Sequence, residues 1–118
     1  MKPRAEIEEM VMAMPQTVKD YPFGEDVAVY KIDSSEGKMF ALIQENSMPV
    51  RLSLKCDPQL AELLRDKYET VIPGFHLNKK HWNTVICSGQ LGDNEIQDLI
   101  RHSYELVAST SSENLNEL

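Results

Sequence analysis

One short segment of the chain, residues 76–83, concentrates the side chains best suited to contact a ligand. It groups two lysines, two imidazoles and two amides around the only tryptophan of the sequence. A lysine places a compact charge on a phosphate oxygen, an indole offers a face on which a base can stack, and an asparagine can hydrogen-bond to a base edge. These residue types suit a nucleic-acid contact loop, and they also suit a soluble hairpin whose Trp82 packs inward, which is the interpretation that the sequence alone favours. The candidates are His76, Asn78, Lys79, Lys80, His81, Trp82 and Asn83.

A second candidate surface is the outer face of the strands expected at 27–32, 38–44 and 50–56, and polar and apolar residues alternate most clearly in the third of them. Lys31 and Lys38 join this basic face if the strand register allows it. The surface either contacts the phosphates along a nucleic acid or is an ordinary solvated sheet face, whose lysines discourage pairing with the edge of another sheet. The polar face carries Arg51, Ser53 and Lys55, and the apolar face carries Val50, Leu52, Leu54 and Cys56.

Side chains that could support catalysis or hold a metal are few. The chain contains no P-loop, no G-x-G-x-x-G, no G-x-S-x-G and no H-E-x-x-H. His76 and His81 could join Cys56 and Cys87 at a zinc ion, but their spacing matches no zinc finger or ribbon. We therefore expect no metal, no cofactor and no enzymatic activity, and we expect both cysteines to be buried, free thiols.

Length and charge restrict the class of protein. The chain has 118 residues, of which 42% are apolar, and a chain of this length is expected to form one domain. The net charge of −7 works against a phosphate binder, but residues 31–56 carry +1 and residues 71–88 carry +2, whereas residues 89–118 carry −5. No apolar run approaches the ~18 residues of a membrane span. The charged N-terminal segment MKPRAEIEEM lacks the apolar stretch of a signal peptide, so we expect a cytoplasmic protein without membrane contact.

Periodicity and turn residues predict eight elements in the order α-β-β-β-α-β-β-α. The strands are predicted at 27–32, 38–44, 50–56, 70–72 and 83–88, and the helices at 4–14, from Asp57-Pro58 onward, and from Asp93 onward. Residues 15–26 are expected to form a loop. Short turns between strands imply an antiparallel sheet of about five strands with helices packed on one side. We thus expect an α+β domain over residues 1–108 and a polar, flexible tail over residues 109–118.

The two outer helices of this order carry clear apolar stripes, and the middle helix has a clear start. Asp57 is a good N-cap, and Pro58 suits the first helical position. Leu60, Leu63 and Leu64 are expected to face the core, whereas Arg65 is expected on the solvated face.

Five stretches of the sequence resemble a known family. They are Tyr21-Pro22-Phe23-Gly24, Gly37-Lys38-Met39-Phe40-Ala41-Leu42, Leu54-Lys55-Cys56-Asp57-Pro58, the long segment 73–85, and Ser103-Tyr104-Glu105-Leu106-Val107. On these residues the chain is identified as a member of the MmcQ/YjbR family of small bacterial proteins. The resemblance implies a fold similar to that of type III secretion chaperones, with helices on one face of an antiparallel sheet. It also implies DNA binding by two β-hairpins that act as wings.

Carried over to this sequence, the wing hypothesis points to Lys79, Lys80, His81, Trp82 and Asn83 in the second hairpin and to Lys38 in the first. The turn of the first hairpin, expected at 33–37, places Asp33 and Glu36 beside Lys38. We therefore expect a monomeric, non-enzymatic protein that contacts DNA weakly and in a salt-dependent way. The alternative is an adaptor that binds a protein or peptide and no nucleic acid, for which an exposed apolar groove would be the sign.

Overall fold

The computed structural model describes residues 2–33, 38–74 and 77–116, with side chains as far as residue 109. The helices are α1 (Arg4–Met12), α2 (Pro58–Lys67) and α3 (Asp93–Asn116), and the strands are β1 (Thr17–Asp20), β2 (Val27–Ile32), β3 (Met39–Gln44), β4 (Arg51–Lys55), β5 (Val71–Pro73) and β6 (Trp82–Ile86). The strands form one antiparallel sheet in the order β1-β2-β3-β4-β6-β5, which confirms the predicted α+β class. Over the described residues, no helix has the length and apolarity to cross a bilayer.

The strand register divides the sheet into two faces. The helix-covered face contributes Tyr30, Leu52 and Val85 to a core that also contains Ile7 of α1 and Ile100 of α3. The opposite face, which we call the open face, carries the alternate strand residues. Its apolar cluster contains no helix residue among those described. The predicted placement of the helices on one side of the sheet is therefore confirmed.

β4 shows the predicted alternation. The four residues predicted on its apolar face, Val50, Leu52, Leu54 and Cys56, are all buried. On the open face, Arg51 and Lys55 are half-buried. Ser53 lies between them and is buried, and its Oγ shares a hydrogen bond of 2.8 Å with Thr84 Oγ1 of β6.

Ser103 ties α3 to the middle of the sheet. Its hydroxyl donates a hydrogen bond to the Phe40 carbonyl at 2.5 Å and accepts one from the Lys55 amide at 2.9 Å. Phe40 has no opposite residue in β2, because the register shifts between Tyr30 and Lys31 in a β-bulge. A polar residue in the apolar stripe of α3 is thus used to fix the helix over β3 and β4.

The expected loop over residues 15–26 contains a strand, which is a correction to the prediction. β1 is short and mostly exposed, so it lacks the alternation that marks a strand in sequence. Its strand conformation comes from pairing with β2, where Thr17 lies opposite Ile32 and Asp20 opposite Val29. Over the described residues, the sheet therefore has six strands rather than about five.

One helix prediction is also corrected. Leu63 is 66% exposed, because Ala61 and Leu64 set the side of α2 that packs on the sheet. The backbone of α3 extends to Asn116, and the flexibility of residues 109–118 stays a prediction. Residues 117–118 lie outside the described residues, as do residues 34–37 of the turn predicted between the first two strands.

The start of α2 is as predicted. Asp57 Oδ2 accepts hydrogen bonds from the amides of Gln59 at 3.1 Å and Leu60 at 3.2 Å, and Pro58 occupies the first helical position. The Asp57 carboxylate is therefore occupied by the helix that it caps.

Candidate functional site

The connections from β2 to β3 and from β5 to β6 leave the sheet at the same end. Lys31 of β2 lies opposite Met39 of β3, and Lys55 of β4 lies opposite Trp82 of β6. The described residues that flank these connections, 33 and 38 in the first and 74 and 77–81 in the second, therefore lie at one end of the sheet on either side of β4, and we call this the hairpin end of the sheet. It gathers Lys31, Lys38, Lys55, Asn78, Lys79, Lys80 and His81, whereas Arg51 lies at the opposite end of β4.

The lysines of the hairpin end differ in their partners. Lys31 Nζ forms an ion pair with Asp20 Oδ2 of β1 at 3.2 Å. Lys79 and Lys80 are exposed, and Lys55 is half-buried. Among the described residues, none of these last three takes part in an ion pair. Their charge is available to an external anion.

Arg65 of α2 fixes the base of the second hairpin. Its Nε donates a hydrogen bond to Asn83 Oδ1 at 2.6 Å, and its guanidinium also donates to the carbonyls of Lys79 and Trp82. Asn83 Nδ2 donates in turn to the Ala61 carbonyl at 3.3 Å. The prediction of a solvated Arg65 is therefore wrong, because a single arginine at a helical polar position does not reveal which backbone carbonyls will face it.

Hydrogen bonds within the turn itself stabilise the turn before β6. The Asn78 carbonyl accepts hydrogen bonds from the amides of His81 at 3.2 Å and Trp82 at 3.0 Å, and Asn78 Oδ1 accepts one from the Lys80 amide at 3.0 Å. Gly74 faces Trp82 so closely that an added Cβ would lie 2.7 Å from the Trp82 Cβ. Asn78 and Gly74 thus shape the loop that presents the lysines.

Two of the predicted contact residues are buried. Trp82 is 7% exposed and packs with Val29 and Leu42 on the open face. Asn83 is 3% exposed, and its side-chain amide already bonds to Arg65 and to α2. Neither offers a free group to a base, so the base stacking and base-edge contacts predicted for them are not available in this structure. The alternative interpretation, a hairpin whose Trp82 packs inward, is the one that the burial supports.

Among the described residues, the histidines and cysteines do not form a common site. His81 is half-buried, and its carbonyl accepts a hydrogen bond from the Cys56 amide at 2.8 Å, while His76 lies outside the described residues. Cys56 and Cys87 are buried free thiols, as predicted, and burial raises the pKa of each to about 11. Both thiols are therefore protonated at neutral pH. No three His, Cys, Asp or Glu side chains in the described part of the chain are grouped to hold a metal.

The open face holds a groove of about 880 Å³ toward the end opposite the hairpin end. Val27, Leu42 and Ser53 form its floor, and Phe23 and Leu77 reach it from the β1–β2 and β5–β6 loops. The lining is completed by Asp26, Gln44, Asn46 and Ser47. Sequence reasoning missed this groove, because its residues come from several separated segments and carry no motif. Its volume lies in the range of sites for small ligands.

A charged cluster joins α1 to the helix-covered side of the sheet. Glu8 accepts a hydrogen bond from the Tyr30 hydroxyl at 2.5 Å and forms ion pairs with Lys19 at 2.7 Å and Arg4 at 3.4 Å. Arg4 also pairs with Glu45 of the β3–β4 turn. Burial would raise the pKa of Glu8, but its three donors outweigh burial and lower that pKa to about 2. The cluster shares no residue with the groove or the hairpin end, and it holds α1 in place.

Comparison with known proteins finds relatives along most of the chain. The YjbR family model matches residues 12–106. The chain is 40% identical over 83 residues to the uncharacterised protein YjbR of Escherichia coli K12, which covers 70% of each chain. It is 35% identical over 98 residues to the uncharacterised protein YbdF of Escherichia coli O157:H7, which covers 83% of this chain and 78% of that protein.

Solved structures share the fold. The crystal structure of the Deinococcus radiodurans protein DR2400, a DUF419 domain, matches with a TM-score of 0.85 and 35% identity over 92% of this chain and 80% of that one. A crystal structure of a Pseudomonas syringae protein matches with a TM-score of 0.77 and 30% identity over 90% of this chain and 99% of that one.

Proposed function

From the premise that this chain belongs to the YjbR family, we propose that it is a non-enzymatic, cytoplasmic and monomeric protein that binds DNA weakly through the hairpin end of its sheet. The relatives named above are uncharacterised, so support comes from the residues of this chain. One observation carries the proposal: the strand register brings two hairpin connections and five lysines to one end of the sheet.

The distribution of charge supports the same surface. The three helices carry ten of the nineteen acidic residues of the chain and only four of its twelve basic residues. In the segments that leave the sheet at the hairpin end, the described carboxylates are those of Asp33 and Asp57, and Asp57 caps α2. A polyanion is therefore repelled by the helical layer and attracted to the hairpin end.

The proposed contacts are to phosphates rather than to bases. Lys79 and Lys80 are exposed, whereas Trp82 and Asn83 are buried and cannot read a base edge. Phosphate contacts position a protein on DNA without sequence preference. With about four lysines on phosphates, the slope of log affinity against log salt is expected to be about −3.6, and the dissociation constant to lie at about 10⁻⁴ to 10⁻⁶ M.

Fluorescence anisotropy of a labelled DNA duplex tests the proposal. The double variant Lys79→Ala/Lys80→Ala is compared with Lys67→Ala/Arg101→Ala, which removes the same charge from exposed positions on α2 and α3. The first double variant should bind at least about ten-fold more weakly at low salt and lower the magnitude of the salt slope by about 1.8, because two phosphate contacts are lost. The second should bind like the parent protein.

Equal weakening by both double variants would contradict the proposal, since the effect would then follow net charge alone. Salt-independent affinity would contradict it too, because a phosphate contact releases counterions.

The second candidate function is a protein- or peptide-binding adaptor. Phe23 and Met48 favour it, because these large apolar side chains are 65% and 80% exposed in the two loops that lie away from the hairpin end. A pull-down with immobilised protein that recovers a partner protein and no nucleic acid, together with no loss of that partner in Lys79→Ala/Lys80→Ala, would favour the adaptor over DNA binding.

A further inference from the structure

The groove on the open face has the shape of a ligand site and lies apart from the lysines of the hairpin end. Its volume is about 880 Å³, and Val27 and Leu42 give it an apolar floor. Phe23, 65% exposed, lies on one side and Leu77 on the other. Among its described lining residues there is no lysine or arginine. Such a lining favours a ligand whose apolar part is buried between Phe23 and Leu77.

Some polar groups of the groove are already used within the protein. Ser53 Oγ shares a hydrogen bond with Thr84 Oγ1 at 2.8 Å, and Ser47 Oγ donates to the Pro49 carbonyl at 2.7 Å. The Asp26 carboxylate accepts a long hydrogen bond from Asn46 Nδ2 at 3.5 Å. Asp26 retains accepting capacity for a ligand, because a carboxylate has about four lone-pair positions.

Asp26 also sets the charge of the groove. It is the only acidic or basic side chain among the described lining residues, and no lysine or arginine of the described chain pairs with it. Phe23 comes from the same loop, so a carboxylate and an aromatic side chain line one groove. This combination attracts an ammonium group. The net charge of −7 adds a field of the same sign.

We infer that the groove binds a small organic cation, a protonated amine carried on an apolar body. The ammonium group pairs with Asp26, and the apolar body lies over Leu42 between Phe23 and Leu77. This site is independent of the proposed DNA surface, because the two share no charged residue.

Three matched probes test the sign of the charge: 4-phenylbutylamine, 4-phenylbutanol and 4-phenylbutyrate. They differ in the charge of the terminal group, and all three carry a phenyl ring on a short methylene chain. The amine is expected to bind with a dissociation constant of order 1 mM, and the carboxylate at least about five-fold more weakly. Amide NMR shifts should map to Val27, Leu42 and Ser53. Fluorescence of the single tryptophan is a second readout, because Trp82 packs against Leu42 and Leu77.

Two variants test the residues. Asp26→Asn keeps the shape of the side chain and should lower the affinity for the amine about five-fold, to that for the alcohol, while the affinity for the alcohol itself stays unchanged. Glu25→Gln, a neighbouring exposed carboxylate outside the lining, should leave both affinities unchanged. Phe23→Ala, at an exposed position, should weaken the binding of all three probes. Thermal unfolding confirms that each variant is folded.

Tighter or equal binding of the carboxylate probe would overturn the inference, since Arg51 on the same face would then govern the site. So would an unchanged affinity of Asp26→Asn for the amine, shifts confined to the helices or to residues 78–81, or the absence of saturable binding by any probe. Loss of DNA binding in Lys79→Ala/Lys80→Ala with unchanged amine binding would separate the two sites.

Discussion

Both faces of the sheet bury apolar side chains, but different parts of the chain cover them. On the helix-covered face, α1, α2 and α3 pack over residues such as Tyr30 and Leu52, which are fully buried. On the open face, Leu42 and Trp82 are covered by loop side chains such as Leu77, and a groove of about 880 Å³ remains. A helix covers a face with a continuous stripe, whereas a loop covers it with single side chains. The first face therefore stabilises the fold, and the second stays accessible to a ligand.

The largest expected difference between the two faces is in the free energy of unfolding. Leu52→Ala should cost about 3–4 kcal/mol, because it leaves an enclosed cavity under the helices. Leu42→Ala should cost about 1–2 kcal/mol, because the space it vacates opens into the groove. Urea unfolding of both variants measures the difference. Equal losses would mean that the open face is as tightly closed as the helix-covered one.

Arg65 links helix α2 to the second hairpin of the sheet. Its removal should have the next largest effect on the free energy of unfolding. Arg65→Ala should cost about 2 kcal/mol, because it leaves Asn83 Oδ1 and two carbonyls without their charged donor. Arg65→Lys should recover only part of this, because an ammonium group cannot reach three acceptors as the guanidinium does. Chemical unfolding gives the energies, and amide exchange at residues 79–82 should accelerate in both variants. Unchanged exchange there would show that Arg65 does not hold the hairpin.

The charged cluster at Glu8 predicts acid sensitivity on the helix-covered side. The pKa of Glu8 in the folded protein, about 2, is below its ordinary value of 4.5, so ionised Glu8 favours the folded state. Its contribution is complete above pH 4.5 and is lost as the pH falls toward 2. Glu8→Gln should cost about 1 kcal/mol at neutral pH and flatten the dependence of stability on pH in that window.

Thermal unfolding between pH 2 and pH 7 checks the Glu8 prediction, with Glu9→Gln on the exposed side of α1 as the control. If Glu8→Gln kept the acid dependence of the parent protein, other carboxylates would have to account for it.

The smallest change in the free energy of unfolding is expected for substitutions on the outer surface of the helices. The Arg101–Asp98 ion pair of α3 is exposed on both sides, so Arg101→Ala should change the free energy of unfolding by less than about 0.5 kcal/mol. The same substitution should leave DNA affinity unchanged. A larger loss of stability, measured by urea unfolding, would mean that the helical layer contributes more than its buried stripe.

The parts of the fold that follow local rules were predictable from the sequence. The alternation in β4 and the cap of α2 each depend on neighbouring residues, and both are found in the structure. β1 escaped prediction because its polar residues become a strand only by pairing with β2. Local pattern thus decides an element when one of its faces is buried, and tertiary pairing decides it otherwise.

The candidate site was less predictable for the same reason. The lysines of residues 77–81 were visible as a charged cluster, but the burial of Trp82 depends on Val29 and Leu42, far away in sequence. Arg65 and the groove likewise depend on contacts between distant segments. Composition indicates which side chains are present, whereas only the register of the strands decides which of them share a surface.

A single titration tests most directly whether the hairpin end, and neither the groove nor the helices, receives DNA. Uniformly ¹⁵N-labelled protein is titrated at low salt with a short DNA duplex while its amide shifts are followed. We expect progressive shifts at Lys38, Lys55 and residues 78–81, with α3 unmoved and the shifts reversed by added salt. Shifts confined to α3 or to the groove, or none at all at residues 78–81, would contradict DNA binding by the hairpin end.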